Sequence, residues 1–141
     1  MDLFTTDLNY WAVLVAAAIA MIVGSLWYSP LLFAQPWLRL LGKSMEQLTE
    51  EGHGSAVAMT AAVIGSLVTA YVLALVINVS SDSPGLVDGI VVGALLWAGL
   101  VGVQNLLGFL FSARPIRLWL LDGGNQLVTF VLMGLVIGLW R

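Results

Sequence analysis

The chain has 141 residues, of which 60% are hydrophobic and 9% are charged. Soluble domains carry about 25% charged residues, so a water-soluble fold is excluded and lipid must cover part of the surface. The net charge of −3 argues against nucleic-acid binding, which depends on clustered Lys and Arg. Because the chain has no cysteine and a single histidine, disulfides and thiolate metal centres within one chain are excluded, and no cofactor or metal is expected.

The N-terminal stretch MDLFTTDLNYWAVLV is acidic and then apolar. Asp2 and Asp7 stand where a secretory signal peptide carries Lys or Arg, and the apolar run that follows is too long for a signal peptide. This pattern predicts an uncleaved membrane span.

Four apolar stretches are long enough to cross a bilayer, which takes about 20 residues. They lack the alternation of barrel strands, so helices are the expected spanning elements. We predict an all-α integral membrane protein with one four-helix transmembrane domain over residues 1–141, built as two hairpins. The predicted spans are about 8–28, 55–79, 86–112 and 118–140.

The connection after the first span, residues 30–50, carries helix signals of its own. Pro36 suits a first helical turn, and Gly42 suits the left-handed end of a helix. Ser44 and Gln47 have the spacing of a capping box. We predict one or two short amphipathic helices lying in the membrane interface; a plain surface loop is the alternative.

The charges of the connections predict an orientation. The first and third connections carry the basic residues, whereas the second has Asp82 and Asp88 and no Lys or Arg. The positive-inside rule places the basic connections in the cytoplasm and both termini outside, and Arg141 is the exception. The basic residues concerned are Arg39, Lys43, Arg114 and Arg117.

Two stretches carry a resemblance to a known family. GSLWYSPLLFAQPW, from Gly24 to Trp37, and the later LFSARPIRLWLLDGG resemble elements of the bacterial membrane protein family called domain of unknown function 1761. The resemblance covers nearly the whole chain, and the first element is the more specific. It implies four spans in a bacterial inner (plasma) membrane, and it brings no established activity.

The fourth span contains the best candidate site, in the stretch LWLLDGGNQL. With a helix starting at Pro115, Asp122 lies about 10 Å below the boundary of the membrane. A carboxylate inside a span costs free energy unless it has partners. Asn125 and Gln126 lie three and four residues further on, so they share its face. Asn105 on the third span is level with Asp122, and we expect the two within hydrogen-bond or one-water reach.

Further candidates surround this cluster. Gln104 neighbours Asn105, and Arg39 or Arg114 could supply the counter-charge. Trp97, near the middle of the third span, either lines a cavity or packs against glycines. The predicted ligand-binding residues are therefore Asp122, Asn125, Gln126, Asn105, Gln104, Arg39, Arg114 and Trp97. The alternative is that the amides only hold helices together, at about 0.6 kcal/mol each.

Small residues recur every four positions on each span, a pattern typical of close helix packing. Four helices cannot easily use all of these stripes internally, so one of them could serve self-association; packing in the core is the alternative, and the favoured one for any single stripe. The stripes are Ala12, Ala16, Ala20, Gly24; Ala58, Ala62, Ser66, Ala70, Ala74; Gly85, Gly89, Gly93; and Gly134, Gly138.

Three classes of function compete. The first is a protein, expected to be a homo-oligomer, that binds or transports a small amphipathic molecule or a membrane lipid at the polar cluster near the cytoplasmic side. The alternative is a non-catalytic accessory or structural subunit of a larger membrane complex. An enzyme is the least favoured class, because Asp122 is the one residue suited to proton transfer and no catalytic residue is assigned.

Overall fold

A computed structural model describes residues 7–140, and within that range the protein is entirely helical apart from turns and loops. Asp2, which entered the argument against a signal peptide, and Arg141, the exception to the predicted orientation, lie outside the described residues. The helices are α1 (Tyr10–Trp27), α2 (Ala34–Leu41), α3 (Met45–Glu50), α4 (Ala56–Ser80), α5 (Leu86–Leu96), a π-helical segment (Trp97–Gly102), α6 (Val103–Phe111) and α7 (Ile116–Leu139).

Within the described range, four helices are long and apolar enough to cross a membrane by length and composition. Their bounds differ from the predicted spans by no more than two residues. The prediction of an all-helical chain with four such helices is therefore confirmed, whereas the grouping into two hairpins and the interfacial amphipathic helix remain predictions. The four helices are Tyr10–Trp27, Ala56–Ser80, Leu86–Phe111 and Ile116–Leu139.

The four long helices alternate in direction and so define two ends of the bundle. At one end, which we call the terminal end, the Asn9 side-chain amide donates to the Trp140 carbonyl over 3.2 Å. The opposite end carries α2, α3 and the turn between α6 and α7, and we call it the α2 end. The basic residues of the two predicted cytoplasmic connections lie together at the α2 end.

The local helix signals of residues 30–50 are found where the sequence predicts them. Gly42 ends α2 in a left-handed conformation with φ of 69°. Ser44 and Gln47 form a reciprocal capping box at the start of α3. Two short helices therefore occupy this connection, and α2 contacts α7.

The core lies in the half of the bundle nearer the terminal end, between α1, α4 and α7. Ala16, Ala70, Ile77 and Met133 are completely buried, and Leu73 is 1% exposed. The alanines of α1 and α4 let these helices approach, so larger side chains such as Met133 fill the space between them.

The glycines of α5 and α7 face each other. A Cβ atom at Gly89 would overlap the Gly134 carbonyl, and one at Gly138 would overlap the Gly85 carbonyl. These glycines therefore allow direct backbone contact between the two helices. The small-residue stripes of the third and fourth spans are used inside the bundle.

The first half of α4 is different. Every residue from 56 to 65 is exposed, whereas most residues from Ala70 to Ile77 are buried. The bundle is therefore closed near the terminal end and open near the α2 end, where α4 forms one wall of a cleft.

Candidate functional site

The two stretches that carry the family resemblance meet at the α2 end, where α1 joins α7. The Trp27 indole Nε1 donates to the Leu121 carbonyl over 3.0 Å. Its ring lies against Gly124, where a Cβ atom would come within 3.1 Å of the Trp27 Cζ2 atom. The absence of a side chain at Gly124 therefore leaves room for this tryptophan to pack on α7.

Tyr28, the residue that follows α1, is the partner of Asp122. Its hydroxyl donates to Asp122 Oδ1 over 2.7 Å. Burial raises the pKa of the Tyr28 hydroxyl above its ordinary value, and the hydrogen bond to Asp122 raises this pKa further. Tyr28 therefore keeps its proton at neutral pH and acts as the donor.

Asn105 does not make the hydrogen bond expected of it. Its Nδ2 donates to Gln126 Oε1 over 2.7 Å, and Gln126 lies one helical turn beyond Asp122 on the same face of α7. A direct hydrogen bond from Asn105 to Asp122 is thus not found among the described residues, and a contact through one water molecule stays a prediction. Asn105 and Asp122 nevertheless line one cavity.

That cavity, the outer cavity, has a volume of about 450 Å³ and lies at the α2 end. A carboxylate, a guanidinium, two amides and several aromatic rings line it. The Arg114 guanidinium lies 4.0 Å from the centroid of the Phe109 ring, and its Nε donates to Ser112 Oγ over 3.0 Å. The lining includes Asp122, Arg114, Asn105, Gln126, Tyr28 and Trp37.

A second and larger space, the inner cleft, runs between α1, α4 and α7 with a volume of about 610 Å³. Its lining is polar near the α2 end and mostly small or apolar further in, at Ala62, Gly65, Phe130 and Met133. The inner cleft and the outer cavity share three lining residues and therefore adjoin. The shared residues are Tyr28, His53 and Gln126.

Asn125 presents an unsatisfied group in this region. Its Oδ1 is buried and has no hydrogen-bond partner within the described part of the chain, and the residue lines the inner cleft. A buried acceptor without a donor costs about 1–3 kcal/mol. A donor from a bound molecule would remove that cost.

Two of the predicted site residues are not brought to the cluster. Arg39 in α2 and Gln104 in α6 are exposed, and neither lines the outer cavity or the inner cleft as described. Gln104 follows Val103 on the outward side of its helix, next to the inward-facing Asn105. Arg114, the other predicted counter-charge, is the one found in the outer cavity.

Trp97 packs rather than lining either cavity. A Cβ atom at Gly102 would lie 3.1 Å from the Trp97 ring, which also stacks on Trp119 with centroids 6.5 Å apart. The Trp119 Nε1 donates to the Gly102 carbonyl at the end of the π-helical segment over 3.1 Å. The packing alternative for Trp97 therefore holds, although its own Nε1 is buried with no partner found among the described residues.

Sequence reasoning missed several residues of the site, among them Tyr28, Trp37 and His53. The Trp37 ring lies 4.7 Å from the Tyr28 ring and 5.7 Å from the His53 ring, measured between centroids. His53 is exposed, as expected of a loop residue, but it also lines both cavities. The signal for Tyr28 and Trp37 was the GSLWYSPLLFAQPW stretch, in which aromatic residues at the end of a span are typical of the membrane boundary.

Comparison with known proteins agrees with the resemblance. The family described as "Protein of unknown function (DUF1761)" matches residues 11–138. The chain therefore belongs to this family. No curated protein and no solved structure shows a significant match.

Proposed function

We propose that this member of the DUF1761 family binds an amphipathic small molecule or a membrane lipid between α1, α4 and α7. The observation that carries the proposal is the pair of adjoining cavities, one polar and one largely apolar, which share Tyr28, His53 and Gln126. The inner cleft, at about 610 Å³, falls in the range of about 300–1,000 Å³ typical of small-molecule sites.

The chemistry of the two spaces supports an amphipathic occupant. The outer cavity offers charged and amide groups together with aromatic rings, which suit a polar head group. The inner cleft continues from it along Ala62 and Gly65 of α4 to Phe130 and Met133 of α7, which suit a hydrocarbon chain. A single molecule that spans both would bury each of its parts in matching surroundings.

We further propose that the protein resides in a bacterial inner membrane with the α2 end in the cytoplasm and both termini outside. The basic residues at the α2 end support this orientation. The polar cluster then opens toward the cytoplasmic side. A C-terminal reporter that is active only in the cytoplasm should stay inactive, and an active reporter would contradict the orientation.

Transport of the bound molecule and self-association are finer versions of the same proposal. The exposed first half of α4 leaves Ala58 and Ala62 as small residues not packed in the core of the single chain. A second copy docked there would build an oligomer around the cleft. Native mass spectrometry distinguishes a homo-oligomer with lipid from the accessory-subunit alternative, which requires a foreign protein in fixed stoichiometry.

Filling the inner cleft tests the binding proposal. Ala62→Phe places a ring in the inner cleft, whereas Ala61→Phe places the same ring on a neighbouring exposed position that does not line it. We expect Ala62→Phe to lose most of the copurified lipid, as measured by extraction and mass spectrometry, and Ala61→Phe to keep it. Equal lipid content in both folded variants would contradict binding in the inner cleft.

A further inference from the structure

The outer cavity contains two opposite charges that do not neutralise each other by direct contact. Asp122 and Arg114 both line it. Within the described residues, however, the ion pair closer than 4 Å is Lys43 with Glu51, elsewhere at the α2 end. A molecule that carries both a cationic and an anionic group could bridge Asp122 and Arg114.

The polar atoms left without partners say more about such a molecule. Asp122 accepts one hydrogen bond at Oδ1, from Tyr28, and no bond to its Oδ2 is found in the described chain. Asn125 Oδ1 is buried and unpaired. Asn125 lies one turn beyond Asp122 on α7 and lines the adjoining inner cleft, so Asp122 Oδ2 is the acceptor that the outer cavity offers to a group with several N–H donors.

The positive side of the outer cavity is equally open. Arg114 uses its Nε for Ser112, and its two terminal nitrogens have no hydrogen-bond partner among residues 7–140. A guanidinium with free terminal N–H groups is well suited to a phosphate. The guanidinium is held in place by Phe109, whose ring centroid lies 4.0 Å from its central carbon.

We propose that the occupant is a membrane lipid whose head group joins a primary ammonium to a phosphate, as in phosphoethanolamine lipids. In the outer cavity the ammonium lies against Asp122, beside the rings of Tyr28 and Trp37, and the phosphate lies against Arg114. This inference rests on the proposed function and specifies the ligand class of the same site.

The unpaired Oδ2 of Asp122 favours a primary ammonium over its methylated forms. Aromatic faces attract any cation, but a trimethylated ammonium has no N–H group to donate to Asp122 Oδ2. A lipid with an uncharged glycerol head would pair its phosphate with Arg114 and leave Asp122 without a cation. The expected order of affinity is therefore ethanolamine head, then choline head and glycerol head.

The adjoining inner cleft favours a lipid over a free phosphoethanolamine ion. Tyr28, His53 and Gln126 line both spaces, so a head group in the outer cavity places its hydrocarbon chain at the entrance of the inner cleft. The cleft then packs against that chain and adds contacts that a head group alone does not make. A soluble head group would lack this contribution.

The test uses the full-length protein in nanodiscs of phosphatidylcholine or phosphatidylglycerol, with added lipids of identical acyl chains counted by native mass spectrometry. The added lipids are phosphatidylethanolamine, its mono- and dimethyl derivatives, phosphatidylcholine and phosphatidylglycerol. We expect affinity to fall stepwise with each methyl group, by about tenfold over the series, as expected for the loss of charge-assisted hydrogen bonds. Soluble phosphoethanolamine should bind far more weakly than the lipid.

Variants test which part of the head group each of the two charged residues binds. Asp122→Asn should remove the preference for ethanolamine over choline, and Arg114→Gln should weaken all phosphate lipids about tenfold. The matched control is Arg117→Gln, because Arg117 is exposed and does not line the outer cavity; it should behave as the parent. Circular dichroism and retention on gel filtration verify that each variant is folded.

The outcomes separate the two proposals. Equal binding of all five lipids by the folded parent, with binding still lost in Ala62→Phe, would overturn the head-group inference and leave the inner cleft as a site for amphipathic molecules. No specific lipid binding by the parent and no effect of Ala62→Phe would overturn both. Binding of soluble phosphoethanolamine as tightly as the lipid would overturn the choice of a lipid as the occupant.

Discussion

The two halves of the bundle contain the same kinds of small residues, but helices pack closely in one half and leave a cleft in the other. Near the terminal end, Gly89 and Gly134 bring two backbones into contact, and Ala16 and Ala70 are completely buried. Near the α2 end, Ala62 and Gly65 on the same α4 helix as Ala70 face open space. A stripe of small residues is thus a means of close approach only where a partner helix follows it.

The physical reason for this difference lies in the solvent. Lipid tails are as apolar as leucine, so helices in a membrane associate by close packing and hydrogen bonding rather than by hydrophobic exclusion. At the terminal end that packing is achieved between backbones. At the α2 end, Trp27 and Tyr28 hold α1 to α7 by hydrogen bonds while α4 is left apart, and the cleft is the consequence.

Gly89→Ala should disrupt the contact between α5 and α7 in the closed half, and it has the largest expected effect on stability. Its new Cβ atom would overlap the Gly134 carbonyl, and a backbone cannot move aside as a flexible side chain can. We expect a loss of about 3 kcal/mol in the free energy of unfolding, at the upper end of the usual cost of overpacking, measured by denaturation in detergent. Gly108→Ala on the same long helix is the control, because no atom lies within 4 Å of the position that its new methyl group would take.

Tyr28→Phe should weaken the attachment of α1 to α7 at the α2 end, and the expected loss of stability is smaller than for Gly89→Ala. The variant leaves Asp122 Oδ1 without its donor, at a cost of about 1–2 kcal/mol in unfolding free energy. We expect the amount of copurified lipid to change together with the stability, since Tyr28 lines both cavities. A variant as stable as the parent and with the same lipid content would show that the hydrogen bond contributes nothing to either.

Two neighbouring glycines of α7 allow a matched comparison between the site where Trp27 docks and the site next to Trp97. A methyl group at Gly124 would press on Trp27 at 3.1 Å, whereas one at Gly123 would meet the Trp97 ring at an ordinary 3.6 Å. Because alanine favours a helix over glycine by about 1 kcal/mol, Gly123→Ala should raise the thermal midpoint. Gly124→Ala should lower it, since Trp27 is held by its bond to Leu121; the reverse order would contradict the docking of Trp27 on α7.

The smallest expected effect is the coupling between Asn105 and Gln126. A double-mutant cycle with alanine at both positions should give about 0.6 kcal/mol, the average for interhelical hydrogen bonds in membranes. A coupling near zero would mean that their 2.7 Å contact does not hold α6 to α7.

Sequence reasoning predicted the long helices well because membrane spans are a property of consecutive residues. The ends at Gly42 and Ser44 were equally predictable, since cap signals are local. The partners within the site were not, because they depend on how helices sit against each other. Tyr28 reaches Asp122 across 94 positions of the chain, and Asn105 selects Gln126 one turn beyond the expected level. The grouping of Asp122, Asn125 and Gln126 could be predicted because it is a local pattern on one face of one helix.

The most direct measurement of the open half is covalent capture of its occupant. A photoreactive amino acid at Thr69 faces the inner cleft, and one at the neighbouring Val68, which is 57% exposed, faces away from it. After illumination in native membranes and mass spectrometry of the adducts, we expect Thr69 to capture one lipid class enriched over its abundance in the membrane, and Val68 to capture lipids in their bulk proportions. Adducts of the same bulk composition at both positions would contradict a lipid-binding cleft.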